Sequence, residues 1–243
     1  MKTVIINQAR MTSTRLPGKV LKEVMGKPLL EYQIERLKRT KEADEIVIAT
    51  TINIEDEPIV ELCKEHDIPF YRGSEEDVLS RYYEAAVLRG AEIIVRVTSD
   101  CPIIDPRVID KVIKTYKENT DKYDYVSNTL ERTYPRGMDT EVFSFRALEE
   151  AHLNAQMLQE REHVTLYIHK RPEKFRLGSV KYIRDASRFR WTVDTEEDFI
   201  LISEIIKELY PSNPFFTLED CLELVRRKPE LTEINKHIRQ KGE

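Results

Sequence analysis

Nothing constrains this chain more than the spacing of its short apolar runs. TVII (Thr3–Ile6), EIVIAT (Glu45–Thr50), IPFY (Ile68–Tyr71) and EIIVRVT (Glu92–Thr98) recur through the first half. Between them lie stretches with the helical period. PLLEYQIERLKRT (Pro28–Thr40) carries Leu29, Leu30, Ile34 and Leu37 on one face and opens on a proline, which suits a first helical turn. EDEPIVELCKEH (Glu55–His66) starts acidic, with Pro58 in its first turn, and EEDVLSRYYEAAVLRG (Glu75–Gly90) ends at a glycine. PRVIDKVIKTYKEN (Pro106–Asn119) is another helix, and DYVSN (Asp124–Asn128) ends a further strand. Strands alternating with helices of this length make a mostly parallel sheet with helices on both faces. The strands are continuously apolar, as expected when both faces of the sheet are covered. Ligands of such sheets bind beyond the carboxyl ends of the strands. The opening loop, TSDCPIID (Thr98–Asp105) and SNTLERTYPRGMD (Ser127–Asp139) all stand at such ends.

After about Glu131 the rhythm changes. MDTEVFSF (Met138–Phe145) reads as a strand before a helix from Arg146, EREHVTLYIHKRPEKF (Glu160–Phe175) as an amphipathic helix, and FRLGSVKYI (Phe175–Ile183) as a strand. RFRWTVDTEEDFILISEIIKELY (Arg188–Tyr210) reads as a short returning strand followed by a strong helix. These readings divide the chain into an α/β core over 1–131, an inserted subdomain over 132–185, and a returning strand with C-terminal helices over 186–243. The whole is one structural domain.

At 243 residues, with 40% hydrophobic and 34% charged positions, the chain has the makings of a globular core. The net charge of −5 excludes a global basic field for nucleic acid, so any anion site must be local. No apolar run reaches the roughly 18 residues of a membrane span. The three cysteines, Cys63, Cys101 and Cys221, lack CxxC spacing and fit a reduced compartment without a structural zinc. A cytoplasmic protein is expected.

The opening loop NQARMTSTRLPGK (Asn7–Lys19) gathers Arg10, Arg15 and Lys19 around Thr12, Ser13, Thr14 and Gly18. Small residues let backbone N–H groups approach an anion, and Arg and Lys add charge-assisted hydrogen bonds. The loop suits a di- or triphosphate; scattered charges on a solvated loop are the plainer alternative. It is neither a Walker A loop nor a GxGxxG fingerprint. Asp100 follows the strand EIIVRVT, where a carboxylate is a reasonable Mg²⁺ ligand or equally a loop cap, while Asp105 before Pro106 fits the cap better. Asp194 is a second metal candidate, although Asp194 or Thr195 also suits the cap of the next helix, with Glu197 and Asp198 as helix-terminal charges. Arg72, Gly73 and Ser74 stand in a loop that either reads a polar ligand edge or simply turns into a helix, and Asp77 with Arg81 makes an i,i+4 surface pair. Tyr134, Arg136 and Asp139 surround a Pro-Gly turn suited to a carboxylated or phosphorylated group, with a plain turn as the alternative. Glu160–His163 reads as helix charge pairing, a dimer contact or a substrate-orienting segment. His66, His152, His169 and His237 have no ligand-like grouping, and Trp191 reads as packing for the returning strand.

QARMTSTRLPGKVL…GKPLLEYQIERL resembles the opening signature of the sugar-acid cytidylyltransferases, the CMP-Kdo and CMP-sialate synthetase group, whose loop reads A-R-x-x-S-T-R-L-P-G-K. RGSEEDVLSRYYEAA, VRVTSDCPIIDP, RTYPRGMDTEVF, EREHVT and RWTVDTEEDF resemble blocks of the spore-coat polysaccharide biosynthesis F-type branch. The resemblance runs from Lys2 to about Ile205 and departs at Thr12, where the pattern has glycine. It implies a Rossmann-like nucleotide-diphospho-sugar transferase fold and CMP transfer from CTP to a sugar or sugar acid, with loss of pyrophosphate. It further implies nucleotide contacts at Ala9, Arg10, Met11, Ser13, Arg15, Lys19, Arg72, Gly73, Thr98 and Asp100, with Arg15, Lys19 and Asp100 catalytic. Asp100 and Asp194 match the family's two Mg²⁺ aspartates. Acceptor contacts are expected at Tyr134, Arg136, Asp139, Glu162 and His163, and a homodimer through the 132–185 segment. Two other classes compete. A glycosyltransferase using a ready-made nucleotide sugar usually places D-x-D after a central strand, whereas SDC here has one acid. A catalytically silent nucleotide-binding module would have no reason to keep Arg15, Lys19, Asp100 and Asp194 together.

Overall fold

The structure is a computed structural model and describes residues 1–238. In chain order the elements are β1 (Thr3–Gln8), β2 (Glu23–Val24), β3 (Lys27–Pro28), α1 (Leu29–Leu37), β4 (Glu45–Thr51), α2 (Glu57–Glu65), β5 (Phe70–Gly73), α3 (Val78–Arg89), β6 (Ile93–Thr98) and α4 (Pro106–Lys117). They continue with β7 (Tyr125–Ser127), β8 (Glu141–Ser144), α5 (Phe145–Asn154), α6 (Leu158–Glu162), α7 (Leu166–His169), β9 (Leu177–Ser179), α8 (Glu196–Leu209), α9 (Leu218–Arg227) and α10 (Glu230–Glu233).

Seven strands form one sheet in the order β5-β4-β1-β6-β8-β7-β9, and only β8 runs antiparallel to its neighbours. The α/β architecture expected from the apolar runs is the one observed. Alternation along β1 explains why its run must be apolar throughout. Ile5 packs with residues of α1, α4, α8 and α9, whereas Val4 and Ile6 pack with residues of α3, α5 and α7 on the other face. Strands β1 and β6 pair in parallel up to Gln8 opposite Thr98, so the loops that leave them start side by side.

Three local expectations are corrected. The segment 132–185 is stitched into the main sheet, because β8 sits between β6 and β7 and β9 pairs with β7. The Glu160–Phe175 stretch is no continuous helix: α6 and α7 are separated by Val164, a buried β-branched residue with φ 36°. The returning segment forms no strand ladder, only an isolated bridge between Arg136 and Arg190. The bridge ties Phe189 and Trp191 to the turn at 136–137, and Val193 bonds further on to Asp100. Trp191 N–H donates to the Arg136 carbonyl at 2.8 Å, and a Cβ on Gly137 (φ 102°) would lie 2.3 Å from the Trp191 carbonyl oxygen. Gly137→Ala is therefore expected to lower stability by about 1–3 kcal/mol. The urea midpoint measures this, and an unchanged midpoint would show that the close approach is not needed.

The helix after this segment starts as the acidic run suggested. Thr195 caps α8 in a capping box with Asp198, and Asp105 caps α4. Among the described residues no helix is long and apolar enough to cross a membrane.

Candidate active site

A cleft of about 820 Å³ opens over the carboxyl ends of β1 and β6. Its floor is laid by the loop that leaves β1. Asp56, fully buried, takes the Met11 N–H at 2.7 Å and the Thr51 hydroxyl at 2.5 Å, tying the loop's start to the end of β4. The Met11 carbonyl then accepts from both Ser13 N–H (3.0 Å) and Gly18 N–H (2.8 Å), which closes the loop on itself. Gly18 turns the chain with φ 69° into a single 3₁₀ turn, Lys19–Leu21, anchored by buried Val20. Glu75, from the β5–α3 loop, holds the opposite side through Arg10 (3.1 Å), the Thr12 hydroxyl and the Asn53 amide. Thr12 thus spends its hydroxyl on Glu75, while its neighbours Ser13 and Thr14 line the cleft.

The second wall comes from the end of β6. The Asp100 carbonyl accepts from Val193 N–H at 2.8 Å and from the Thr192 hydroxyl at 3.2 Å, which carries Asp194 across to face Asp100. Lys19 lies between the two carboxylates. Its Nζ is 2.7 Å from Asp194 Oδ1, 3.6 Å from Asp100 Oδ2 and 2.7 Å from the Val193 carbonyl. Arg15 reaches Asp194 Oδ2 at 3.0 Å, and Thr98 donates to Asp100 Oδ1 at 2.5 Å. Burial pushes the Lys19 ammonium towards neutrality, but Asp100 and Asp194 outweigh it and hold its pKa above the ordinary lysine value. Burial likewise pushes the Asp194 carboxyl up, while Lys19, Arg15 and Arg190 bring it below the usual range. Both stay charged at neutral pH.

This donor set fits a magnesium ion. Mg²⁺ takes one or two carboxylates and fills its octahedron with phosphate oxygens and water. Two carboxylates that share Lys19 supply that minimum; among the described residues no group of three or more His, Cys, Asp or Glu would hold a metal unaided. A thiol nucleophile has no place here. Burial lifts the thiols of Cys63 and Cys221 to about 12, and that of Cys101, beside Asp100, well above its ordinary value.

A cleft that sets Arg15 and Lys19 beside paired carboxylates holds the kinds of group that phosphoryl chemistry uses. The family model for cytidylyltransferases matches residues 3–233. The chain belongs to the cytidylyltransferase family. It is 38% identical over 245 residues to the Methanocaldococcus jannaschii protein MJ1063, covering all of this chain and 98% of that one. It is 33% identical over 240 residues to the spore coat polysaccharide biosynthesis protein SpsF of Bacillus subtilis, covering 93% and 95% of the two chains. The solved structure of a cytidylyltransferase from Leptospira borgpetersenii superposes with a TM-score of 0.93 at 34% identity, over 99% of this chain and 100% of that one. A CMP-2-keto-3-deoxy-manno-octonic acid synthetase complexed with CTP shares the fold, with a TM-score of 0.65 at 16% identity over 86% of this chain and all of that one.

In this cytidylyltransferase Ala9, Arg10, Ser13, Arg15, Lys19, Thr98, Asp100, Glu162, His163 and Asp194 all line the cleft. Six other expected positions do not. Met11 works through its backbone. Arg72 turns away and clamps the β4–α2 loop, through the Thr51 and Asn53 carbonyls (2.9 Å each) and Glu57 (2.6 Å). Gly73 is packed beneath Tyr71 and Arg81. Tyr134 is buried against Tyr182 (5.1 Å between centroids), and Asp139 is paired with Arg132 (2.6 Å). Arg136 lines a separate pocket of about 470 Å³ beside Trp191. Trp191 itself is buried and stacks on Phe189, as read.

The cleft also has walls that the sequence reading missed. Arg81 is no surface partner of Asp77. Asp77 caps α3 and pairs with Arg161 at 2.6 Å, while Arg81 is buried, pinned by the Ser74 carbonyl at 3.0 Å, and lines the cleft. Arg96 lines it too and is paired with Glu141. A lone arginine inside the apolar run IIVRVT was the available signal. Asp198, read as a helix-terminal charge, is fully buried on Arg190.

Proposed function

We propose that the protein transfers CMP from CTP to a sugar or sugar acid and releases pyrophosphate, in the service of cell-surface polysaccharide synthesis. The observation that carries this reading is Lys19 held between Asp100 and Asp194, with Arg15 on the same side. An acceptor oxygen attacks the α-phosphorus, one P–O bond forms, and the bond to the β-phosphate breaks as pyrophosphate leaves. Arg15 and Lys19 turn from the carboxylates to the β- and γ-phosphates and stabilise charge on the leaving group. Alignment over the ends of β1 and β6 supplies proximity, and no covalent nucleophile is needed. Asp100 and Asp194 would hold Mg²⁺, which when bound neutralises phosphate charge and lowers the pKa of an acceptor hydroxyl. Glu162, the last residue of α6, and His163 after it stand on the cleft wall and orient the acceptor.

Screening all four nucleoside triphosphates against acidic sugars with pyrophosphate detection tests the reading. CTP-dependent release requiring an acidic sugar is expected; release of a nucleoside mono- or diphosphate from a nucleotide sugar would replace it with glycosyl transfer. Asp100→Ala working at the wild-type rate would remove the metal assignment.

We also propose that the enzyme acts in the cytoplasm, as a homodimer. Leu153, Met157 and Leu158 are all exposed around the start of α6, an apolar group suited to a second copy. Sedimentation at micromolar concentration is expected to give twice the 28.7 kDa chain mass; a monomer alone would dismiss the dimer.

A further inference from the structure

We propose that Arg190 is a positioning residue for Asp194, and that Asn235, just beyond α10, belongs to the catalytic apparatus through it. The inference rests on the proposed chemistry at Asp194. Among the described residues three cations reach that carboxylate: Lys19 on Oδ1, and Arg15 and Arg190 on Oδ2, the last at 2.9 Å. They differ in accessibility. The Arg15 side chain is 34% exposed and faces the cleft, whereas that of Arg190 is 8% exposed. When a triphosphate draws Arg15 and Lys19 away, Arg190 stays. Asp194 then keeps one oxygen pinned and presents the other towards Asp100.

Arg190 is itself held on several sides. Its Nε and Nη2 meet the two oxygens of Asp198 at 2.9 Å each, the planar fork that arginine makes with a carboxylate. Asp198 also accepts the backbone N–H of Asp194 (3.0 Å) and of Thr195 (3.2 Å), fixing the chain on which Asp194 rides. The Asn235 amide closes the assembly, donating to Asp198 Oδ1 at 2.8 Å and to the Arg190 carbonyl at 2.9 Å. Asn235 lies just beyond α10 and is buried. Burying so many charged and polar groups is a poor route to stability, because apolar residues of similar volume do as well or better. A buried network that ends on a carboxylate at the mouth of the cleft is better explained by what it holds in place.

Two variants test this. Arg190→Lys keeps the charge and loses the fork; Asn235→Ala leaves every charge in place and loosens the far end. Mn²⁺ binding followed by paramagnetic resonance, with CTP present, reads the site without turnover. Removing a group that orients a metal ligand typically costs 10–100-fold in affinity or activity. Arg190→Lys is expected to weaken Mn²⁺ by about that factor and to lower kcat similarly, with KM for CTP within about threefold. Asn235→Ala is expected to follow in the same direction with about a tenfold effect. A merely structural network would lower the melting temperature of both variants while Mn²⁺ affinity, measured well below melting, stayed at the wild-type value; that result overturns the proposal. If Arg190→Lys does not fold, Asn235→Ala decides alone. Wild-type protein that binds no Mn²⁺ and releases no pyrophosphate would overturn the underlying reading instead, so the two failures are distinct.

Discussion

Replacing Lys19 with methionine is expected to cut pyrophosphate release from CTP by about two to three orders of magnitude, the loss typical of removing one preorganised charge stabiliser. Lys19 is delivered by the 3₁₀ turn after Gly18, and its ammonium stands within 4 Å of both cleft aspartates. Those aspartates keep it protonated despite burial, so the charge is present at working pH. Methionine reproduces the stem and omits the charge, and Asp194 retains Arg15 and Arg190, so the fold is expected to survive with an unchanged circular dichroism spectrum. Calorimetric titration should show CTP binding weakened as well, because the same ammonium meets the phosphates in the ground state. A folded variant releasing pyrophosphate at the wild-type rate would remove Lys19 from the mechanism.

What could be read before the structure was whatever the chain states locally. Unbroken apolar runs such as EIVIAT need cover on both faces, which is enough for a parallel sheet and for the site at its carboxyl edge. Arg15, Lys19 and Asp100 stand in the loops that leave β1 and β6, so the strand pattern alone placed them at the cleft. Arg72 and Arg81 were not, because the outcome depends on which way β5 and α3 turn their faces. Arg72 falls on the side of the β4–α2 loop, and Arg81 falls one turn into α3 on its inward face. Tyr134 has the chemistry of a ligand contact, yet the pairing of the 136–137 turn with Phe189 and Trp191 folds that segment into the core. Asp198 shows the same limit. A carboxylate at N3 of a helix is ordinarily a cap, and here it caps α8 and anchors Arg190 together.

The largest stability effect is expected at Glu141. Arg96 and Glu141 stand opposite each other on β6 and β8, and the cleft wall at Arg96 depends on that pairing. Glu141 also accepts the Tyr125 hydroxyl at 2.5 Å and the Thr165 hydroxyl at 2.6 Å. Glu141→Ala leaves a largely buried guanidinium without its counter-charge and two hydroxyls without their acceptor, at a cost of about 3–5 kcal/mol read from the urea midpoint. The double variant Arg96→Met/Glu141→Leu removes both charges and is expected to recover the part of that loss due to the unpaired guanidinium, the two hydroxyls still lacking their acceptor, while taking a cation out of the cleft wall. A single variant within about 1 kcal/mol of wild type would show that the pair is not holding β6 to β8. The pH dependence has a definite sign. Burial pushes the Glu141 carboxyl up, but Arg96, Thr165 and Tyr125 outweigh it and set its pKa below the ordinary value. Its contribution is therefore complete above the unfolded-chain value of about 4.3 and is lost as pH falls through the lower folded value. Wild-type stability should drop across that acidic window more steeply than that of the double variant, which has no carboxylate there to protonate.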